Sequence, residues 1–257
     1  MKSPDIIFVI IGYYSNKRVL SSLLTSISPY SVIVVNNGKV GELKGQNIKV
    51  IGGGKNLGYA GGANLGMKSA FANGAEWVVL CNQDLVATKA GVEAFVATLK
   101  TSPAGIAGPF AGGLDPNRMT TIIPSDRADY ITGSCIAIHK DVYQSLGNFY
   151  EPYFLYYEEV DYCVRAKRAG FPITHLSVDG IRHEESVTLG NDSLAHQYYL
   201  SRNHLLFVER LALRQAQCYE FIRMPFTIFE HIGRKQWGAL LGIRDYFLHI
   251  FGQKEHI

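Results

Sequence analysis

Residues 6–38 read IIFVIIGYYSNKRVLSSLLTSISPYSVIVVNNG, and the order of patterns within them decides the fold class. Ile6–Ile11 is an unbroken apolar run, the mark of a strand covered on both faces. Lys17–Ile27 then changes period, with Val19, Leu20, Leu23, Leu24 and Ile27 recurring at helical spacing. Ser31–Val35 is a second buried strand, stopped by the turn-forming Asn36-Asn37-Gly38. Strand, helix and strand make one βαβ unit, whose crossover is right-handed and whose strands run parallel.

The alternation continues downstream. Ile48–Ile51 is a strand, Ala60–Ala72 a helix after a glycine-rich turn, Glu76–Cys81 a strand and Thr88–Leu99 a helix. The pattern predicts an α/β domain with a mostly parallel sheet. Ligands of such sheets bind beyond the carboxyl ends of the strands, where Gly12–Ser15, Asn36–Gly38 and Asn82–Asp84 fall. Gly105–Ile123, rich in Gly and Pro, reads as loops or short edge strands. Tyr130–His139 reads as a strand and Asp141–Leu146 as a short helix. A helix over Tyr157–Ala169 is closed by Gly170 and Pro172, and Ile173–Val178 is a further strand. From Ser193 to Leu213 a long helical pattern takes over, and the rest is helical with breaks expected at Pro225 and Gly233. This divides the chain into a domain at 1–212 and a helical extension at 213–257.

A length of 257 residues suffices for one sizeable core with an appendage. A net charge of +3 argues against a dedicated nucleic-acid binder. Cys81, Cys135, Cys163 and Cys218 are scattered without a C-x-x-C pair, which reads as free thiols in a reducing compartment. Neither a signal-peptide pattern nor an apolar run near the roughly 20 residues of a membrane span is present. The expectation is a cytoplasmic protein, with attachment to the inner membrane face as an addition. The addition comes from the tail, where Trp237, Leu240, Leu241, Phe247, Leu248 and Phe251 recur at helical spacing beside Arg234, Lys235, Arg244 and Lys254. Two readings stay open: a membrane-surface helix, or packing onto the domain or onto a twin subunit in a homodimer.

Chemistry concentrates in Asn148–Arg168, NFYEPYFLYYEEVDYCVRAKR, which delivers Glu158, Glu159 and Asp161 to the start of a helix. Acids so placed are candidates for a general base. At 100° per residue, Val160, Cys163 and Val164 form the core face. Glu158, Asp161 and Arg165 lie opposite, with Asp161–Arg165 spaced as a surface ion pair. Glu159 falls on the flank, as a cleft wall requires. The helix N-terminus is expected to favour the ionised carboxylates. Upstream, Asn82-Gln83-Asp84 ends a buried strand, and a carboxylate there can hold a divalent cation. His183, within Ile181-Arg182-His183-Glu184-Glu185-Ser186, follows the strand after that helix, and a lone histidine reads on its own as structural or solvated. Asn56–Gly66, NLGYAGGANLG, is the glycine-rich piece; glycines allow close backbone approach, and a helix N-terminus favours phosphate. Neither this segment nor Gly12-Tyr13-Tyr14-Ser15 has the G-x-G-x-x-G of a dinucleotide oxidoreductase.

Together these pieces resemble the inverting family-2 glycosyltransferases, above all the rhamnosyltransferase-like branch. That branch carries G-G-F-D-E-x-F-F-x-Y-x-E-D-V-D-x-C-x-R, which Gly147–Arg165 follows closely. The resemblance implies a GT-A fold, a Rossmann-like nucleotide half joined to an acceptor half. It puts Asn82 and Asp84 at the first and last positions of an N-x-D motif, with Asp84 as metal ligand. It makes His183 a ligand of the metal or the diphosphate, with Arg182 assisting. Glu159 becomes the base that deprotonates the acceptor, standing where the family has Asp, and Asp161 is the reserve candidate. Gly12, Tyr13, Asn56, Gly61, Gly62 and Asn64 would line the nucleotide-sugar pocket, and Asn36 replaces an acid that pairs with the base. Tyr198-Tyr199-Leu200-Ser201-Arg202-Asn203 resembles the family's Y-Y-x-x-R-N, a structural motif unless Arg202 reaches acceptor or phosphate.

By the same resemblance the cofactor is Mg²⁺ or Mn²⁺ and the donor dTDP-rhamnose or a UDP-hexose. The acceptor is a growing surface polysaccharide such as O-antigen, or a lipid-linked oligosaccharide. Two rivals remain: a sugar nucleotidyltransferase, whose G-x-G-x-R loop is missing after the first strand, and a non-catalytic glycan-binding pseudo-glycosyltransferase.

Overall fold

The computed structural model describes residues 5–43, 45–123, 127–183, 193–255 and 257. In chain order, β1 (Ile6–Gly12), α1 (Lys17–Ile27), β2 (Ser31–Asn36), β3 (Ile48–Ile51), α2 (Gly58–Ala72) and β4 (Trp77–Asn82) form the first half. β5 (Leu85–Ala87), α3 (Lys89–Thr101), β6 (Ile106–Gly108), β7 (Ala111–Leu114), β8 (Thr121–Ile122), β9 (Tyr130–Ile131) and β10 (Cys135–His139) follow. Then come α4 (Lys140–Leu146), a 3₁₀ turn at Glu151–Tyr153, α5 (Glu158–Arg168), β11 (Ile173–His175) and β12 (Ile181–His183). The chain closes with α6 (Leu194–Leu211), α7 (Arg214–Gly233) and α8 (Trp237–Phe247).

The main sheet has the order β11-β6-β10-β4-β1-β2-β3. β4, β1, β2 and β3 are mutually parallel, and β10 runs antiparallel to β4 and β6. All seven residues of β1 are buried, as an apolar run without alternation requires. Ile7, Val9 and Ile11 face a core shared with α2 and α5, while Ile6, Phe8 and Ile10 face a core shared with α1 and α3. β2 and β4 lie on opposite sides of β1, so the crossovers diverge there and open a crevice at the carboxyl ends of β1 and β4. This is an α/β GT-A architecture.

Several expectations need correction. The strand read over 130–139 is two strands, separated by Thr132–Ser134. Part of the glycine-rich middle is not edge: β6 sits inside the main sheet between β11 and β10. Pro225 does not break α7, which runs through it to Gly233. Residue 225 is exposed, so the ring meets solvent rather than a packed neighbour. In α8 the inward face is set by Gly238 and Gly242, whose missing side chains let the helix close against the Leu194 and Tyr198 carbonyls of α6. Trp237, Phe247 and Leu248 are left exposed, while Phe251 packs against the core.

Candidate active site

The polar ends of β1, β2 and β4 meet at the crevice. Gln83 holds the first loop in place: its Oε1 accepts the Tyr13 N–H (3.0 Å) and the Ser15 hydroxyl (2.5 Å). Its Nε2 donates to the Tyr13 carbonyl (2.7 Å), so one amide sets the loop's distance from the β4 end. Tyr13 packs its ring beside Gly38, at the end of β2. Gln83 is a residue that sequence reading passed over, although it is the middle of Asn82-Gln83-Asp84.

Asp84 and His183 are brought together by strand register. β12 pairs antiparallel with β5, placing His183 opposite Leu85, the residue after Asp84. Asp84 Oδ1 lies 3.7 Å from His183 Nε2, and Asn82 Nδ2 is 3.4 Å from the same nitrogen. Among the described residues no group of three or more His, Cys, Asp or Glu could hold a metal ion. Mg²⁺ takes oxygen ligands and would use the Asp84 carboxylate with phosphate and water, whereas the His183 imidazole beside it suits the softer Mn²⁺. The pair therefore fits Mn²⁺ through both residues and Mg²⁺ through Asp84 alone. Glu184, Glu185 and Ser186 lie outside the described residues.

Glu159 reaches the same crevice through the loop between β9 and β10. The backbone N–H of Gly133 faces its carboxylate, and the next carbonyl, Ser134, accepts the Asn82 N–H at 3.0 Å. The Tyr59 hydroxyl donates to the Gly133 carbonyl, fixing this loop from the α2 side. Glu159 Oε2 and Glu158 Oε2 are buried and have no hydrogen-bond partner among the described residues. An unmet buried acceptor at the rim of a ligand crevice is poised to take a proton from a bound hydroxyl.

Electrostatics here run against the sequence expectation. Burial pushes the Glu159 carboxyl above its usual range, only partly countered by N–H groups of Glu159, Gly133 and Val160. Burial, followed by the charge of Glu159, pushes Glu158 well above its usual range. Desolvation outweighs the helix N-terminus that was expected to keep both ionised.

Glu158 and Asp161 also lie on a different kind of surface from the one expected. They are 3% and 0% exposed, because α6 and the aromatic loop cover the face of α5 that was read as solvent. Asp161 is not a surface ion-pair member: it accepts from Arg165 (2.6 Å), Arg210 (3.2 Å) and the Tyr153 hydroxyl (3.2 Å). Both its oxygens are engaged by protein and Glu158 is closed off, so Glu159, the half-buried member, is the acid of the trio nearest the crevice.

The glycine-rich segment is mostly packing. A side chain at Gly62 would strike Ile11, one at Gly61 would strike Leu57, and one at Gly12 would strike Val40. Asn64 is 4% exposed and fully engaged: it donates to the Phe149 carbonyl (3.0 Å) and Glu151 (2.9 Å) and accepts from the Phe149 N–H (2.8 Å). It ties α2 to the segment at Phe149–Glu151 that leads into α5. The α2 N-terminus is used internally too, since Tyr59 N–H donates to the Phe154 carbonyl at 2.7 Å. Gly58, at φ +70°, makes that close approach. Asn56 caps the Gly58 N–H (3.0 Å), and Asn36 Oδ1 accepts from Val40 N–H at 3.3 Å, beside the crevice.

Arg202 is 0% exposed and binds the carbonyls of Tyr153 (2.9 Å) and Gly252 (2.8 Å), so its guanidinium is engaged by the fold.

Comparisons with known proteins agree with this fold. The chain is 24% identical over 283 residues to the low-salt glycan biosynthesis hexosyltransferase Agl10 of Haloferax volcanii, covering 94% of this chain and 92% of the relative. It is 24% identical over 246 residues to the N-acetylglucosaminyl-diphospho-decaprenol L-rhamnosyltransferase of Mycobacterium tuberculosis, covering 75% and 80%. In fold it is similar to residues 1–349 of S. aureus TarS in complex with UDP-GlcNAc, with a TM-score of 0.59 at 14% identity over 96% of this chain and 81% of that one. A family model, glycosyl transferase family 2, matches residues 10–164. The chain thus belongs to glycosyl transferase family 2.

Proposed function

We propose that this glycosyltransferase moves a sugar from a nucleoside-diphosphate donor to a glycan acceptor in one displacement that inverts the anomeric carbon. The observation that carries this reading is the Glu159 carboxylate, with one buried oxygen unmet, joined through Gly133 and Ser134 to the strand end that bears Asp84. A base there takes the proton of the acceptor hydroxyl as its oxygen attacks, while the diphosphate leaves from the opposite face. Tyr13, Asn36 and Gln83 frame the nucleotide side of the crevice. Asp84 and His183 would hold a divalent cation, which when bound neutralises charge on the departing diphosphate.

Donor and acceptor follow from the relatives. TarS holds UDP-GlcNAc, and the mycobacterial relative is named for transferring L-rhamnose to a diphospho-decaprenol acceptor. The donor proposed for this chain is accordingly dTDP-rhamnose or a UDP-hexose, and the acceptor a growing surface polysaccharide or a lipid-linked oligosaccharide. Incubation with a panel of dTDP- and UDP-sugars, with and without Mg²⁺ or Mn²⁺, tests it. Release of nucleoside diphosphate from one donor, lost on chelation and in Glu159→Gln, is the expected result. Release that persists undiminished with chelator or in the variant overturns the assignment.

A further inference from the structure

α7 is buried on one face and apolar on the opposite one. Ala216, Glu220 and Met224, each four residues on from the last, turn into the molecule, where Glu220 meets Arg118 at 3.1 Å. Tyr219, Ile222, Phe226 and Phe229 are spaced by three and four residues, which aligns them on the far side. They are 45%, 76%, 72% and 72% exposed. Phe221 carries the stripe sideways to Phe247 of α8, with ring centroids 6.2 Å apart, and Leu248 adjoins it in sequence, also exposed. Single exposed apolar residues are ordinary, but a contiguous aromatic-rich surface marks contact with something apolar. No helix among the described residues is long and apolar enough to cross a membrane.

Charge selects the occupant. Arg214, Arg234, Lys235 and Arg244 are exposed on these two helices and the turn between them. Glu220 is buried, Asp245 is buried and holds Arg244 (2.7 Å), and Glu230 is shared between Arg223 (3.9 Å) and Arg234 (2.9 Å), which leaves Arg214 and Lys235 as the surplus. In a two-fold dimer through this face the surplus cations of each copy would be brought against those of the other. An anionic lipid surface meets them with phosphate, and each cation near it strengthens attachment about fivefold. Tyr219, partly exposed on the stripe, and Trp237, partly exposed at the start of α8, have the apolar body and polar tip that suit the headgroup boundary.

We propose that the outer face of α7, with the adjoining end of α8, lies in the plane of an anionic membrane surface, its aromatic stripe sunk to the acyl boundary. The surface differs from the one read in the sequence: its centre is Ile222, Phe226 and Phe229 of α7, not the tail beyond Arg234. It stands independently of the sugar-transfer chemistry.

The test is co-sedimentation of the full chain with vesicles of phosphatidylcholine and phosphatidylglycerol in equal parts, and with phosphatidylcholine alone. The variant carries Ile222→Ser, Phe226→Ser and Phe229→Ser, all at exposed positions, and a thermal melt confirms that it folds. Sedimentation of the parent on anionic vesicles only, weakened by salt and reduced about tenfold or more in the variant, supports the proposal. A parent that stays in the supernatant, equal binding to both lipids, or equal binding by parent and variant overturns it. Light scattering that shows a dimer for the parent and a monomer for the variant, without vesicles, assigns the face to a second copy and likewise overturns it.

Discussion

Asp161 Oδ2 and Arg210 Nε stand 3.2 Å apart across the interface of α5 and α6. With Arg165 at 2.6 Å on the other oxygen, this pair fixes the helix that presents Glu159. Arg210 in turn lies over the Tyr150 ring, 3.5 Å from its centroid, so the aromatic loop is held by the same contact.

Asp161→Ala should therefore lower stability, by about 3 kcal/mol, the smaller end for a broken buried pair because both guanidiniums reach solvent. Glu159→Gln should not lower the melting temperature and should reduce transfer by about 10²–10⁴-fold. Parallel melts and rate measurements separate the two acids. An active Glu159→Gln beside a folded but inactive Asp161→Asn would make Asp161 the base.

A second expectation concerns the loop before α5. Phe154, Tyr156 and Tyr157 have φ of 65°, 67° and 76°, a left-handed conformation costing about 1–3 kcal/mol at each such residue. Asn203 Nδ2 answers it by donating to the carbonyls of Tyr153 (2.9 Å), Leu155 (2.7 Å) and Tyr156 (2.9 Å). Asn203→Leu removes the donor; the Tyr153 carbonyl keeps Arg202 (2.9 Å), so the cost is about 1–3 kcal/mol for each of the Leu155 and Tyr156 carbonyls left bare. Both the melting temperature and kcat should fall, with donor affinity kept, since the loop leads into Glu159 and not into the nucleotide crevice.

The acid limb of the rate profile follows from burial. A base must be deprotonated, and the Glu159 carboxyl is held above its ordinary 4.5. Activity should rise with pH through a midpoint higher than that value. A rate already at its plateau at pH 4.5 would contradict this environment for the base.

Stability should show the opposite trend through Glu158. Its carboxyl is raised in the fold, so the neutral form is the one the fold accepts. The stabilising contribution is full below the unfolded-state value and is lost as pH rises through the folded one. Glu158→Gln, neutral at every pH, should raise the melting temperature at pH 8, by about 2–4 °C per kcal/mol recovered, and change it little at pH 4.

The metal assignment has its own readout. Nucleoside diphosphate affinity, measured by calorimetry, should increase with Mg²⁺ or Mn²⁺ in the parent and lose that increase in Asp84→Ala. His183→Ala should lose part of it with Mn²⁺. An increase of equal size in all three proteins would remove both residues from the cation site.

The sequence by itself determined the layers. An unbroken apolar run such as Ile6–Ile11 suits only a strand covered on both sides, and the change of period at Lys17 allows only a helix between parallel strands. It also placed Asn82–Asp84 at a strand end, because polarity following a buried strand marks its exit from the core. What it could not contain was the surroundings of a side chain supplied by distant segments. Helical spacing placed Asp161 opposite the core face, yet α6, beginning only at Leu194, covers that side and makes it a core of charges. The glycines of Asn56–Gly66 looked like a cradle for phosphate, but their register against Ile11 and the Phe154 carbonyl spends them on packing. Periodicity reports which residues share a face, and tertiary packing alone decides what that face meets.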